Sequence, residues 1–454
     1  MKRPLPFALT LLTVGLAPVV AARPAVAQAA AAAAPAQASA SGPVETLMEA
    51  AERGETAPLV RTLADPAIPA DLKAVLRGAL AAGRLDPAAA RDPALQRLAA
   101  GQDPALRRAA LGVITSAAFA AGDYAEAARA GRLLTEALTA AGMTEEASET
   151  ERTWRLAALL AGHARPGVDG AVRAGSTAAR RDKIGLTRID VAVNGQAQEA
   201  VFDTGANLSV LSAGTAQRLG VRIEEGTVAV GNGVQTTVAT RIGIAPRVEI
   251  AGTVLTNVVF LIIDDSALTF AQVPGGYSIP MIVGLPEMRA LGRLRLEQAG
   301  RLAVLPPADD AAAGASSEGL ANLHAAGNDL FVDVMVDGRA LPLHLDSGAS
   351  QTGLTALYAA AEPQRVAALQ TGQANFASAG GTRTSRFATW PNAPIELAGR
   401  SLTVPALQIG LPGDGPKARF NGVVGSDVLR RFESYTLDFR TMRLSLGAPV
   451  AAGQ

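Results

Sequence analysis

A chain of 454 residues with 41 basic and 41 acidic side chains has no formal net charge, which argues against nucleic acid as its main partner, since such proteins usually carry a basic excess. The length suggests two to four domains. An apolar content of 49% supplies real cores, but with only 4% aromatic residues and abundant Ala those cores are built from small side chains; the absence of cysteine removes disulfides and thiolate metal sites.

Residues 1–27 read as a secretory signal peptide. Lys2 and Arg3 precede an apolar run over 7–22 that is interrupted at Pro18, and Ala25-Val26-Ala27 offers a small-x-small cleavage site before Gln28. The run falls short of the ~20 residues a spanning helix needs. A secreted or periplasmic protein is therefore expected, with an uncleaved anchor as the alternative and no stable membrane span. Residues 28–43 are Ala, Pro, Gln and Ser and predict a disordered spacer.

Residues 44–165 predict an α-helical domain. Leu47, Leu59, Leu63, Leu72, Val75, Leu76 and Leu80 recur at helical intervals, and Asp86-Pro87 and Asp103-Pro104 read as an N-cap followed by Pro in the first helical position. The stretch AAFAAGDYAEAARAGRLLTEAL over 117–138 resembles a tetratricopeptide-type helix pair, without a full repeat array. That resemblance implies a docking module for a protein partner; a plain helical domain or prosegment packed on its neighbour is the other reading. Residues 166–184, with Pro, Gly, Ser and the pair Arg180-Arg181, read as a linker.

From Leu186 the period changes to alternation. Ile189, Val191 and Val193 lead to the turn dipeptide Asn194-Gly195, and a return strand runs into Asp203. After residues 306–319, a second linker, the pattern restarts. Leu330, Val332, Val334 and Val336 lead to Asp337-Gly338, and Leu341, Leu343 and Leu345 lead into Asp346. Asp203 opens DTGAN and Asp346 opens DSGAS. Later landmarks keep the same order: Gly252 matches Gly399 and Gly284 matches Gly425. The chain thus predicts two β-rich units, 185–305 and 320–447, followed by a tail over 448–454.

One Asp-Thr-Gly is an ordinary turn signal. Two copies, each ending an apolar strand and each followed by a short helix, suggest a shared site. Glycine lets each loop turn sharply and lets a partner approach. The Thr204 and Ser347 hydroxyls can bond across to the opposite loop. Two carboxylates in contact retain one proton between them, so one can accept a proton from water while the other donates to a carbonyl oxygen.

These motifs resemble the retropepsin-like aspartic proteases over about residues 184–447. The resemblance implies a mainly β fold of two acid-protease lobes in one chain, behind the helical domain. It implies Asp203 and Asp346 as the catalytic dyad, supported by Thr204, Gly205, Ser347 and Gly348. Gly231, Asn232 and Gly233, with Gly380 and Gly381, would be flap tips that bind a peptide. Three departures stand out: Asn207 lies where Ser350 lies in the other copy, GLPEM from Gly284 stands opposite GSDVL from Gly425, and neither flap carries the Tyr that pepsin-like enzymes use. His163, His324 and His344 form no metal-spaced cluster, and there is no nucleophile elbow or Walker loop. No metal or cofactor is expected. The resulting expectation is an exported aspartic endopeptidase acting on peptides or proteins. The alternative is a weakly cleaving peptide-binding scaffold with a helical docking module.

Overall fold

The computed structural model describes residues 8–9, 42–231, 237–271, 273–306, 321–378, 381–413 and 418–450. The cleavage site, residues 28–41 of the spacer, Asn232, Gly233, Gly380 and nearly all of the second linker lie outside them, while Pro43, expected at the end of the spacer, already begins a helix. Among the described residues no helix is long and apolar enough to cross a membrane.

The first region is helical: α1 (Pro43–Glu52), α2 (Thr56–Ala64), α3 (Ala70–Gly83), α4 (Pro93–Ala99), α5 (Pro104–Ala120), α6 (Tyr124–Ala140) and α7 (Thr144–Leu160). Asp103 caps α5 as its sequence suggests, its Oδ1 accepting from Ala105 N at 2.9 Å and Leu106 N at 3.0 Å. Asp92 does the same for α4, which the sequence reading did not single out. Each such cap is worth about 1 kcal/mol. Asp86 caps a short 3-10 turn, Pro87–Arg91, and not a full helix. The turns α5–α6 and α6–α7 are made at Gly122 and Gly142, whose φ values of 68° and 75° suit glycine.

The remainder is mostly β. In the first β region, strands Thr187–Val193 and Gln196–Phe202 pair antiparallel. Their turn places Asn194 and Gly195 at φ 51° and 79°, the left-handed pair of a type I′ hairpin. Ile189, Val191 and Val193 face the core while Asp190 is exposed. In the second β region, Asp329–Val336 and Arg339–Leu345 repeat the arrangement around Asp337 and Gly338, at φ 52° and 77°. The strand that ends at each aspartate then pairs in parallel with a short central strand. Gln196–Phe202 lies beside Met281–Val283, and Arg339–Leu345 beside Gly422–Val424. A helix follows each central strand, Leu285–Leu291 in one case and Ser426–Leu429 in the other.

The two regions share a sheet. One end of it runs in the order Arg443–Leu446, Ser434–Asp438, Arg293–Glu297, Arg301–Val304, Gly175–Arg181 and continues into Thr187–Val193. The junction is the antiparallel pair Arg293–Glu297 with Ser434–Asp438. Gly175–Arg181 corrects the linker reading of 166–184: this stretch is a strand held by ladder hydrogen bonds to both Arg301–Val304 and Thr187–Val193. Its Arg180 pairs with Asp190 and Glu199. The start of the tail is also tied down, since Val450 N donates to Arg431 O at 2.8 Å.

The helical region is not a separate body. Phe119, Tyr124, Leu156 and Leu160 belong to the same buried apolar cluster as Leu208, Val210 and Ile282 of the first β region. On the second β region, Gly54 sits against the His324 and Phe331 side chains.

Candidate active site

Asp203 and Asp346 emerge from equivalent positions. Asp203 N donates to Val283 O at 3.1 Å and Asp346 N to Val424 O at 3.0 Å, so the central strand of each region fixes its own aspartate. The loops are then locked to the helices beyond: Leu285 N donates to Ala206 O and Ser426 N to Ala349 O, both at 2.8 Å.

The structure brings the two loops together. Thr204 N donates to Ser347 Oγ at 3.0 Å, and Ser347 N donates to Thr204 Oγ1 at 2.9 Å. Each hydroxyl donates onward across the junction, Thr204 Oγ1 to Leu345 O at 2.7 Å and Ser347 Oγ to Phe202 O at 3.1 Å. All four groups are buried, so removing one hydroxyl strands its partners. The glycines allow the approach. A Cβ on Gly205 would lie 2.5 Å from Asp346 Cγ, and one on Gly348 would lie 2.5 Å from Asp203 Oδ2.

Both aspartates are fully buried, at 0% exposure. Asp203 Oδ1 accepts from Gly205 N at 2.8 Å and Gly348 N at 3.2 Å. Asp346 Oδ1 accepts from Ala349 N at 2.8 Å. Apart from each other, the two carboxyls offer their Oδ2 atoms no hydrogen-bond partner among the described residues. Burial raises the Asp203 carboxyl to about 6, opposed by the amides that favour its ionised form. Asp346 is held well above the ordinary carboxyl range, by burial first and then by the charge of Asp203. Two buried carboxyls raised together in this way titrate as one unit and share a proton until the second of them can ionise.

A second matched pair lies beneath the loops, and the sequence reading missed it. Ser209 Oγ accepts from Gly284 N at 2.8 Å and donates to Glu287. Thr352 Oγ1 accepts from Gly425 N at 2.9 Å and donates to Asp427 Oδ1 at 2.7 Å. The signal was in the two five-residue stretches that seemed to differ: in both GLPEM and GSDVL an acidic residue lies just inside the helix. Burial pushes Glu287 up to about 7. Pro286 falls in the first turn of its helix, where a missing N–H is tolerated.

His344, on the strand leading to Asp346, is fully buried between the rings of Phe331 and Phe420, at centroid distances of 5.8 and 5.2 Å. Of the expected flap residues, Gly231 ends strand Val228–Gly231 and Gly381 begins strand Gly381–Leu397. Their companions Asn232, Gly233 and Gly380 lie outside the described residues.

Residues 189–286 match the model of an aspartyl protease family. Among solved structures, a retropepsin-like aspartic protease from Rickettsia conorii aligns at 17% identity over 30% of this chain and 94% of its own, with a TM-score of 0.22. The retroviral protease-like domain of Ddi1 from Leishmania major aligns at 17% identity over 26% of this chain and 87% of its own, with a TM-score of 0.19. No curated protein matches the chain. The resemblance to retropepsin-like aspartic proteases is therefore carried by the family match across residues 189–286, the stretch that contains Asp203 and its loop.

Proposed function

We propose that the chain is an exported aspartic peptidase in which two retropepsin-like lobes, arising from one duplicated unit, supply Asp203 and Asp346 to a single site. The observation that carries this reading is the joint burial of the two aspartates between loops whose Thr204 and Ser347 are cross-bonded. Ionised Asp203 takes a proton from water as its oxygen attacks the peptide carbonyl carbon. Protonated Asp346 gives its proton to the carbonyl oxygen, forming a tetrahedral diol. On collapse, Asp203 passes its proton to the leaving nitrogen and Asp346 recovers one from the diol, which restores both groups. Neither a metal nor a covalent intermediate is needed for this sequence. The flap role of Gly231 to Gly233 and of Gly380 and Gly381 belongs to the same proposal.

The test is cleavage of a peptide library by the wild type, Asp203→Asn and Asp346→Asn. Wild-type cleavage with both variants silent is the expected result; equal cleavage by all three would sink the dyad. The pH–rate profile should be bell-shaped, rising through about 6 as Asp203 ionises and falling at higher pH as Asp346 loses its proton. A second reading, a peptide-binding scaffold with a helical docking module, draws on the resemblance of α5 and α6 to a tetratricopeptide pair. It predicts peptide binding without turnover.

A further inference from the structure

An extended peptide advances ~3.3 Å per residue, so a chain cut in its middle needs open groove on both sides of the reacting atoms. Here the two sides can be compared directly. The reciprocal bonds between Thr204 and Ser347, and the reciprocal seating of Gly205 on Asp346 and Gly348 on Asp203, relate the loops by an approximate two-fold. Reciprocal contacts of this kind place equivalent residues on opposite sides of the axis. Asn207 and Leu208, over Glu287, therefore mark one end of the site. Ser350 and Gln351, over Asp427, mark the other.

The ends are not equally exposed. Asn207, Leu208 and Glu287 are 5%, 3% and 5% exposed. At the other end Gln351 is exposed and Ser350 and Asp427 are half-buried. The cover at the Asn207 end is the helical region. Phe119 and Tyr124 line a cavity of about 270 Å³ together with Asn207, Glu287 and Asp329. A neighbouring cavity of about 340 Å³ joins Asn207 and Asp329 to α1, α5 and α7. Spaces of this size sit at or below the low end of ligand pockets, roughly 300–1,000 Å³. The wall is fastened to both β regions. Leu159 lies against Gly226 of the first, and Glu149 pairs with Arg419 of the second at 2.7 Å.

We infer that the helical region closes the Asn207 end of the substrate groove, so that the enzyme accepts peptides end-on from the Gln351 side and removes short terminal pieces. This rests on the dyad reading above and replaces the internal cleavage expected from the sequence.

The experiment compares one peptide in linear form with free ends and in head-to-tail cyclised form. It uses the full chain, Asp203→Asn, and two variants that loosen the wall: Phe119→Ala with Tyr124→Ala, and the charge reversal Glu149→Arg at the half-buried pair with Arg419. Products are sized by mass spectrometry. The full chain should release fragments of constant short length from one terminus of the linear peptide. It should cut the cyclic form at least about a hundredfold more slowly, the scale seen when reacting groups are denied their geometry. At least one loosened variant should gain cleavage of the cyclic form. Equal cutting of both forms by the full chain overturns the inference and leaves the aspartic mechanism standing. A silent full chain with active loosened variants also overturns it, because the helices would then shut the site altogether. Cleavage by Asp203→Asn equal to wild type, or no cleavage by any protein, defeats the proposed function itself.

Discussion

Replacing Asp203 by Asn should abolish turnover and yet stabilise the fold. In the folded protein the Asp203 carboxyl titrates at about 6, against an ordinary value of 3.8. Below the lower value the group is protonated in both folded and unfolded chains and makes no difference. Above the higher value it is ionised in both, and the folded state bears the penalty of a buried charge. The gap between the two values is worth about 3 kcal/mol, at about 1.4 kcal/mol for each pH unit it spans. Stability from this group is thus lost as pH rises from about 4 to about 6. Asn is neutral at every pH and its carbonyl oxygen can still accept from Gly205 N and Gly348 N. Urea unfolding of wild type and Asp203→Asn should therefore coincide near pH 3.5 and differ by about 3 kcal/mol, in favour of Asn, at about pH 7.5. A variant no more stable than wild type at the higher pH would refute the assignment of Asp203 as the buried ionised member.

Three further outcomes follow from the geometry. Thr204→Val and Ser347→Ala should each destabilise by about 1–3 kcal/mol, because each leaves buried partners unsatisfied, and the double variant should show strong coupling in a denaturation cycle. Gly205→Ala should suppress turnover, since its Cβ would press on Asp346 Cγ at 2.5 Å; an overpacking penalty of about 1–3 kcal/mol in urea unfolding should accompany the loss. Glu287→Gln should keep its bond to Ser209 while removing the charge that burial disfavours. Its stability advantage over wild type should be absent below the ordinary glutamate range and grow up to about pH 7.

The β architecture was legible where side-chain chemistry dictates the backbone. Asn194-Gly195 and Asp337-Gly338 are among the few dipeptides that take two left-handed residues in succession, and they do so. Alternation over 189–193 and 330–336 marked core-facing strands, and the two Asp-Thr/Ser-Gly loops meet as their spacing suggested. The strand Gly175–Arg181 was not legible because ladder hydrogen bonds, which any sequence can make, hold it; Ala179 is its one buried residue. The network of Glu287 and Asp427 was hidden by distance along the chain: Ser209 and Glu287 are 78 residues apart, and Thr352 and Asp427 are 75 apart. The cover over Asn207 was not legible either. An apolar helical face reports that it is buried, not which surface it meets.

The junction strand has a consequence for how the protein is made. Arg293–Glu297 pairs with Arg301–Val304 along one edge, but its other edge is filled only by Ser434–Asp438, from the second β region. During synthesis the first β region therefore stands with an open sheet edge until residues 434–438 have emerged. Bare edges invite pairing with other chains, and charged residues on them discourage it. Arg293, Arg295 and Glu297 place three such charges on this strand. A message truncated before residue 434 would yield a chain that contains both aspartates and yet has nothing to close that edge.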